Sequence, residues 1–90
     1  MLDIVVPTLN EEANIDQLVT RLKNACPEAR LIFVDNCSTD RTLEILEGHG
    51  VDIVRHTVNE GYGKSLYDGI IAGTADYIVT IDADLEYPPE

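Results

Sequence analysis

Short apolar runs alternate with amphipathic segments along the whole sequence. Four runs predict strands, at residues 3–6, 31–34, 51–54 and 77–81. Three intervening segments carry apolar residues three or four positions apart, as one face of a helix requires, at residues 14–26, 40–48 and 64–75. The pattern therefore predicts the order strand, helix, strand, helix, strand, helix, strand.

Proline, glycine and short polar residues predict where these elements begin and end. Pro7 should close the first strand, because proline lacks the N–H that a central strand donates. Asn14 and Gln17 resemble a capping box at the start of the first helix. Either Gly48 or Gly50 is suited to end the second helix, because glycine tolerates the left-handed conformation common there.

Strands that alternate with helices over short connections require a parallel sheet with right-handed crossovers. The strand runs are continuously apolar, as expected when helices cover both faces. The predicted fold class is therefore α/β, a Rossmann-like three-layer α/β/α arrangement with a mostly parallel sheet. Ligands of such sheets bind beyond the carboxyl ends of the strands. The unusual polar clusters all follow predicted strands, at residues 8–12, 35–40, 59–64 and 82–84.

Composition narrows the classes of ligand. Seventeen acidic and six basic residues give a net charge of −11, which disfavours nucleic acid as a partner. An anionic small molecule stays compatible with this charge if a metal ion or helix N-termini supply local positive charge. No apolar stretch reaches the ~20 residues of a membrane span, and the start lacks the pattern of a signal peptide. Cys26 and Cys37 have no metal-type spacing, so we expect reduced thiols in a cytoplasmic protein rather than a disulfide.

Two common phosphate-binding motifs are excluded by the sequence. Gly63, Lys64 and Ser65 resemble the end of a Walker A loop, but that loop requires a glycine at position 58, where Val58 stands. A dinucleotide fingerprint requires three spaced glycines after the first strand, and residues 7–12 contain none. Neither a P-loop nor an NAD site is predicted.

Asp82 and Asp84 follow the last apolar run and lie one residue apart. Two carboxylates at a strand end are suited to Mg²⁺ or Mn²⁺, because both ions prefer oxygen ligands and leave room for phosphate oxygens. The alternative is a solvated turn with no ligand.

Taken together, the four clusters resemble the inverting family 2 glycosyltransferases, which have the GT-A fold. Residues 6–11 (VPTLNE) are similar to the opening Pro-Thr-x-Asn-Glu segment of the family, and residues 34–40 (VDNCSTD) to its Val-Asp-Asp-x-Ser-x-Asp. Residues 59–64 (NEGYGK) resemble the Asn-x-Gly loop, and residues 81–85 (IDADL) the Asp-x-Asp segment. The resemblance covers essentially the whole chain as the N-terminal, nucleotide-sugar-binding half of that fold, and treats residues 1–90 as one domain.

Within this family the segment from Asp82 to Glu90 is most similar to the polyprenyl-phosphate branch, which includes the dolichyl-phosphate mannose synthases. Glu86 and Tyr87 depart from the Gln-His that is frequent there, which leaves the acceptor open. Asn36 stands where a second Asp is usual and is expected to alter base or ribose contacts.

The resemblance implies a donor site for a UDP- or GDP-linked sugar. Asp35 would accept hydrogen bonds from the base, and Asp84 would bind the metal, with Asp82 reaching the ribose or a metal-bound water. The full set of implied substrate-binding residues is Pro7, Thr8, Leu9, Asn10, Glu11, Asp35, Asn36, Ser38, Lys64, Asp82 and Ala83.

Several of these side chains also have an ordinary structural interpretation. Asp35 is able to cap the following helix, although Ser38 and Asp40 are available for that role. Glu11 and Lys64 are equally compatible with solvated positions at helix starts. For His49 and His56, which flank the third strand away from the clusters, we expect surface or structural roles.

The implied function is hexose transfer, with polyprenyl phosphate as the expected acceptor, at the cytoplasmic face of a membrane. The general base would lie beyond residue 90, so we expect residues 1–90 alone to be inactive and the apolar edge of the last strand to self-associate. One alternative is a non-catalytic nucleotide-binding or self-assembling module of the same fold. Another, a flavodoxin-like domain phosphorylated at Asp35, requires Lys and Ser/Thr residues at later strand ends that the chain does not display.

Overall fold

The predicted order of strands and helices is confirmed by the computed structural model, which describes residues 2–81. The strands are β1 (Leu2–Thr8), β2 (Arg30–Asn36), β3 (Asp52–His56) and β4 (Tyr77–Thr80). The helices are α1 (Glu12–Ala25), α2 (Thr42–His49) and α3 (Tyr62–Ala72).

All strand pairs in this part of the chain are parallel, in the spatial order β3-β2-β1-β4. β1 and β2 are therefore central. Their register runs from Asp3 opposite Arg30 to Thr8 opposite Asp35. Because parallel strands end at the same edge of a sheet, the loops after β1, β2 and β3 leave from one side. This edge, with the loops 9–11, 37–41 and 57–61, is called the carboxyl edge below.

Helices cover both faces of the sheet, as the apolar strands predicted. On one face, α1 and α2 pack on alternate residues of β1 and β2, with Ile4, Phe33 and Leu46 in the core. On the other face, α3 covers a smaller cluster of Val5, Ile32 and Val34. Each fully buried aliphatic or aromatic side chain contributes about 1.5–3 kcal/mol. The result is the three-layer α/β/α arrangement.

The prediction that Pro7 ends the first strand is wrong, because β1 continues through Pro7 to Thr8. Val5 accepts a hydrogen bond on its β4 side, from the Ile81 N–H at 3.0 Å. Backbone groups alternate in direction along a strand, so those of Pro7 also face the β4 side. The missing N–H of Pro7 therefore leaves the pairing of Pro7 with Val34 of β2 undisturbed.

The predicted capping box at Asn14 is also wrong. α1 begins at Glu12, two residues earlier, and Asn14 lies in its first turn. The Asn14 side chain donates to Glu11 Oε2 at 3.0 Å instead of capping the helix. The buried face of α1, with Ile15, Leu18 and Leu22, is as the spacing predicted.

The other helix ends differ from prediction by a few residues. α2 begins at Thr42 rather than near Asp40. It ends at His49 and is capped by Gly50, one of the two glycines predicted to stop it, whose φ of 69° is left-handed. α3 covers Tyr62–Ala72 rather than residues 64–75.

Cys26 and Cys37 are free thiols. Within residues 2–81, the helices are too short or too polar to cross a membrane.

A buried carboxylate joins the start of β1 to the turn before β4. Asp3 is 1% exposed, and its Oδ2 accepts hydrogen bonds from the N–H groups of Thr74 at 2.7 Å and Ala75 at 3.0 Å. The Ala75 N–H lowers the pKa of the Asp3 carboxyl, burial raises it, and the Thr74 N–H and Arg30 leave the net value below the ordinary one. The ionised form of Asp3 is thus the one that the fold stabilises.

Gly69 gives a direct test of how closely α3 packs on the sheet. A Cβ at this position would overlap Val5 Cγ1 and lie 2.9 Å from Val34 Cγ2. We expect Gly69→Ala to lower the free energy of unfolding by about 1–3 kcal/mol, because overcrowding a packed core outweighs the helix propensity gained. Urea denaturation followed by circular dichroism measures this.

The matched control is Gly63→Ala in the same helix, where a Cβ would meet nothing within 4 Å. That variant should be neutral or gain up to about 1 kcal/mol from helix propensity. Equal effects of the two substitutions would contradict the close approach of α3 to the sheet.

Asp3 predicts a pH dependence of stability. Because its pKa is lowered on folding, its contribution is complete above the unfolded pKa of about 3.9 and is lost as the pH falls through the lower folded pKa. We expect Asp3→Asn to be less stable than the parent at neutral pH, with the difference narrowing below about pH 4. Urea midpoints measured over this pH range test the prediction. A difference that stays constant down to about pH 3 would contradict it.

Candidate functional site

The end of the β1–β2 ladder places two predicted site residues side by side. Thr8 and Asp35 are register partners, and both are buried. The Thr8 hydroxyl donates to the Val34 carbonyl at 3.0 Å, so it is used within the sheet. Asp35 Oδ1 accepts the Ser38 N–H at 3.3 Å, which shapes the first turn of the next loop.

Asn10 fastens the loop after β1 to the loop after β2. Its side-chain Oδ1 accepts the Thr39 N–H at 2.8 Å, and its own N–H donates to Ser38 Oγ at 3.0 Å. Asn10 has a positive φ of 54°, which asparagine tolerates. Cys37 has a φ of 66°, which is uncommon for such a residue and is held where its thiol donates to the Thr57 carbonyl at 3.3 Å. The three loops of the carboxyl edge are thereby connected.

Asp40 joins the first turns of α1 and α2. Its Oδ2 accepts the Glu12 N–H at 3.2 Å, and its Oδ1 accepts the Thr42 N–H at 2.9 Å and the Thr42 hydroxyl. Thr42 Oγ1 in turn accepts the Glu11 N–H at 2.9 Å. Burial raises the pKa of the Asp40 carboxyl, but the hydrogen bonds from Thr42 and Glu12 outweigh it and leave the pKa below its usual value. The Asp40 carboxylate therefore already accepts hydrogen bonds from N–H groups at the starts of both helices.

On the β3 side, Asn36 holds the loop that follows His56. Asn36 is buried, and its Oδ1 accepts the Glu60 N–H at 2.8 Å and lies 3.0 Å from His56 Nδ1. Its Nδ2 donates to Asn59 Oδ1 at 2.8 Å, and Asn59 Oδ1 also accepts the Gly61 N–H at 2.9 Å. Asn36 is thus turned toward β3 and the loop of residues 57–61.

His56 corrects one prediction. It does not lie away from the polar clusters; it is 5% exposed at the carboxyl end of β3, in contact with Asn36 and with Asp68 of α3 at 2.8 Å from Nε2. His49 pairs with Asp16 across α1 and α2 at 2.6 Å, which agrees with a structural role. The error arose because β3 extends two residues beyond its apolar run, to His56.

Two cations at the carboxyl edge, Lys64 and Arg41, are engaged with carboxylates. Lys64 Nζ lies 3.1 Å from Asp68 Oδ1 and 5.4 Å from the centroid of the Tyr67 ring. Hydrogen bonding and charge attraction from Asp68 raise the pKa of the Lys64 ammonium. Arg41 Nε lies 2.7 Å from Glu44 Oε2. These two cations are therefore already partly neutralised by neighbouring carboxylates.

Three of the four predicted clusters meet at one edge. Pro7 and Thr8 are buried in β1, Leu9 is 39% exposed beside the fastened loops, and Glu11 is half-buried at the start of α1. The fourth cluster, with Asp82, Ala83 and Asp84, lies outside the described residues. β4 ends at Thr80 beside β1, so the chain leaves the sheet at this same edge.

Sequence reasoning missed two residues that build the edge, Thr42 and Asp68. Thr42 is fully buried within a polar segment, and no local pattern distinguishes it from a solvated helix start. Asp68 stands four residues after Lys64, a spacing that does predict the observed ion pair.

Comparison with known families decides the class of protein. Residues 3–90 match the family described as Glycosyl transferase family 2. The chain belongs to this family.

Two curated relatives show the branch that this glycosyltransferase family 2 chain resembles. It is 34% identical over 100 residues to an undecaprenyl-phosphate 4-deoxy-4-formamido-L-arabinose transferase of Pseudomonas aeruginosa, a match that covers 100% of this chain and 30% of the relative. It is 32% identical over 93 residues to a dolichol-phosphate mannosyltransferase of Pyrococcus furiosus, covering 97% and 26%. The chain thus spans less than a third of these relatives.

Solved structures confirm the GT-A glycosyltransferase fold. The Staphylococcus aureus protein TarS (residues 1–349), in complex with UDP, superposes with a TM-score of 0.84 at 26% identity, covering 92% of this chain and 27% of TarS. Glucosyl-3-phosphoglycerate synthase of Mycobacterium tuberculosis, in complex with Mn²⁺, UDP and glucosyl-3-phosphoglycerate, gives a TM-score of 0.81 at 29% identity, covering 93% and 33%. The Rossmann-like sheet of the family 2 chain is therefore the predicted one.

Asp40 gives a test of how the edge is held together in this family 2 domain. Asp40→Ala removes the shared acceptor of two helix starts, so we expect a loss of about 1–2 kcal/mol, the upper range for a helix cap. Thermal and urea denaturation measure it. The control Glu44→Gln breaks only the exposed Arg41–Glu44 pair and should change stability little. An Asp40→Ala variant as stable as the control would contradict the bridging role.

Proposed function

We propose that this chain forms the donor-binding part of a metal-dependent, inverting glycosyltransferase that transfers a hexose from a nucleotide-diphosphate sugar. The observation that carries the proposal is the meeting of the strand-end clusters at one edge, where Asn10 and Asp40 fasten the loops after β1 and β2. Family membership gives this edge its chemistry. Residues 1–90 act here as one nucleotide-sugar-binding domain.

The proposed base and ribose pocket lies over the ends of β1 and β2. Asp35 is fixed there by its pairing with Thr8 and its hydrogen bond from Ser38, with a second carboxylate oxygen left to accept from a base. The proposed wall consists of Pro7, Thr8, Leu9, Asn10, Glu11, Asn36 and Ser38. TarS and glucosyl-3-phosphoglycerate synthase are described with UDP, which supports a nucleoside diphosphate; we keep UDP and GDP as the two candidates.

The proposed cofactor is Mg²⁺ or Mn²⁺, bound by Asp84 with help from Asp82, because carboxylate oxygens are the ligands these ions prefer. Such an ion supplies charge stabilisation for a leaving diphosphate. Two features of the described residues support a need for it: Asp40 already occupies N–H groups at the starts of α1 and α2, and Arg41 and Lys64 are paired with carboxylates. The Mn²⁺ complex of glucosyl-3-phosphoglycerate synthase supports the same choice.

Polyprenyl phosphate is the proposed acceptor, since the names of two relatives specify undecaprenyl phosphate and dolichol phosphate. An acceptor of that kind is a membrane lipid, so we place the reaction at the cytoplasmic face of a membrane. The general base is proposed to lie outside this chain.

Self-association is proposed through β4, which pairs only with β1 among residues 2–81 and exposes Tyr77 and Val79.

Donor binding by residues 1–90 tests the proposal. Calorimetry with UDP and GDP in the presence of Mn²⁺ should give micromolar to millimolar affinity, about 4 to 8 kcal/mol. Asp35→Ala should weaken binding with or without metal, because it removes a base contact. Asp84→Ala should remove the dependence on Mn²⁺ without altering the circular-dichroism melt.

The control is Asp76→Ala, an exposed acidic residue just before β4, at the opposite edge of the sheet. It should change neither affinity nor metal dependence. No binding of either nucleotide at millimolar concentration would contradict the proposal, as would an Asp84→Ala variant with unaltered Mn²⁺ dependence.

A further inference from the structure

His56, Glu60 and Asp68 form a second group of metal-ligating side chains, separate from Asp82 and Asp84 in sequence. One ligand atom from each residue lies within 4.8 Å of the other two, and this is the one such group of three among residues 2–81. His56 is on β3, Glu60 on the following loop and Asp68 on α3. The group therefore spans three consecutive segments of the fold.

The hydrogen bonds around His56 determine which ring nitrogen is available. Gly61 N–H donates to Asn59 Oδ1, so the Asn36 atom that meets Asn59 Oδ1 must be the Nδ2 donor. Glu60 N–H donates to the other atom, which is therefore the Asn36 Oδ1 acceptor. Since His56 Nδ1 faces this acceptor at 3.0 Å, Nδ1 carries a proton. Nε2 donates to Asp68 Oδ2 at 2.8 Å, and it is the nitrogen that is able to bind a metal when the ion displaces this proton, with Asn36 as the outer partner that orients the ring.

The two carboxylates differ in how closely they approach Nε2. Asp68 Oδ2 is already 2.8 Å away, while Lys64 uses the other oxygen, Oδ1. Glu60 Oε2 lies 3.8 Å from Nδ1 of the same ring, on a side chain with 35% exposure, and it must turn toward Nε2 to share an ion there. Ligand atoms around a tetrahedral zinc ion lie about 3.4 Å apart, so small side-chain rotations are sufficient. The His56 ring itself is buried, whereas the two carboxylates are more exposed. An ion would therefore enter from the side of Glu60 and Asp68.

We propose that His56 Nε2, Asp68 and Glu60 bind a zinc-class transition-metal ion that connects β3, the loop after it and α3. One imidazole and two carboxylates are suited to Zn²⁺, Co²⁺ or Ni²⁺ rather than to Mg²⁺, which prefers oxygen ligands alone. The two carboxylates balance the charge of the ion, and the Lys64 ammonium beside Asp68 weakens its binding by repulsion. The proposed metal site does not rest on the proposed function, although its neighbours Asn36 and Lys64 also belong to the residues proposed to bind the donor.

Nitrogen NMR of the histidine rings tests this site with Zn²⁺ as the probe. The chain has two histidines, and His49 forms a similar His–Asp pair with Asp16 that serves as an internal control. We expect added Zn²⁺ to move the His56 Nε2 resonance and to leave His49 unchanged. The Asp82→Asn/Asp84→Asn double variant should respond as the parent chain does.

Variants of the ligands give the affinity test. Glu60→Gln and Asp68→Asn should each weaken Zn²⁺ binding at least tenfold, about the loss that follows removal of even an outer-shell partner. Lys64→Gln should strengthen binding, because it removes the competing charge. If Asp68→Asn does not fold by circular dichroism, Glu60→Gln, which lies on a loop, decides. An unmoved His56 resonance at millimolar Zn²⁺, an equal shift of His49, or unaltered affinity in Glu60→Gln would overturn the proposal.

Discussion

The parallel pairing of β1 with β2 is the constraint on which the rest of the carboxyl edge depends. The ladder runs from the pair Asp3–Arg30 to the pair Thr8–Asp35, so the loops that follow the two strands start side by side at one edge of the sheet. Short side chains then suffice to connect the two loops: Asn10 reaches Thr39, and Asp40 reaches Glu12. A shift of one strand by one residue would move its buried side chains to the opposite face of the sheet and would separate these partners.

In a chain with a net charge of −11, each buried carboxylate needs hydrogen-bond donors that stabilise its negative charge. The buried Asp3 accepts from the backbone N–H groups of Thr74 and Ala75, and the buried Asp35 accepts from that of Ser38. The half-buried Asp40 accepts from those of Glu12 and Thr42. Such hydrogen bonds to an ionised acceptor are stronger than neutral ones. They also occupy N–H donors at the starts of α1 and α2.

The sequence predicted the features that depend on local pattern. Apolar spacing predicted every element of residues 2–81 and the buried face of α1, and element order predicted the parallel sheet. Patterns of a few residues did not predict the element ends, because partners distant in sequence decide them. β1 passes through Pro7 because the missing N–H faces away from β2. α1 begins early because Asp40, 28 residues away, accepts the Glu12 N–H.

The same distinction holds for the candidate site. The motif clusters predicted which loops would meet, since strand ends of a parallel sheet share an edge. Their side-chain partners depend on contacts between residues far apart in sequence, such as His56 with Asn36, 20 residues away. The apolar pattern of β3 also predicted that the strand ends before His56. The position of this buried histidine beside two carboxylates was therefore not predicted.

Asn36 shows how one departure from a family pattern alters its surroundings. An aspartate at this position would still accept from His56 and from the Glu60 N–H, but it would bring a carboxylate oxygen against Asn59 Oδ1, now 2.8 Å from Nδ2. Asn59 has no freedom to reverse its amide, because Gly61 N–H donates to the same Oδ1. Only a side chain with both a donor and an acceptor satisfies the two neighbours at once. The Asn36 amide and the Asn-x-Gly turn are therefore held in place by the same hydrogen bonds. The orientation of the Asn36 amide in turn sets that of the His56 ring.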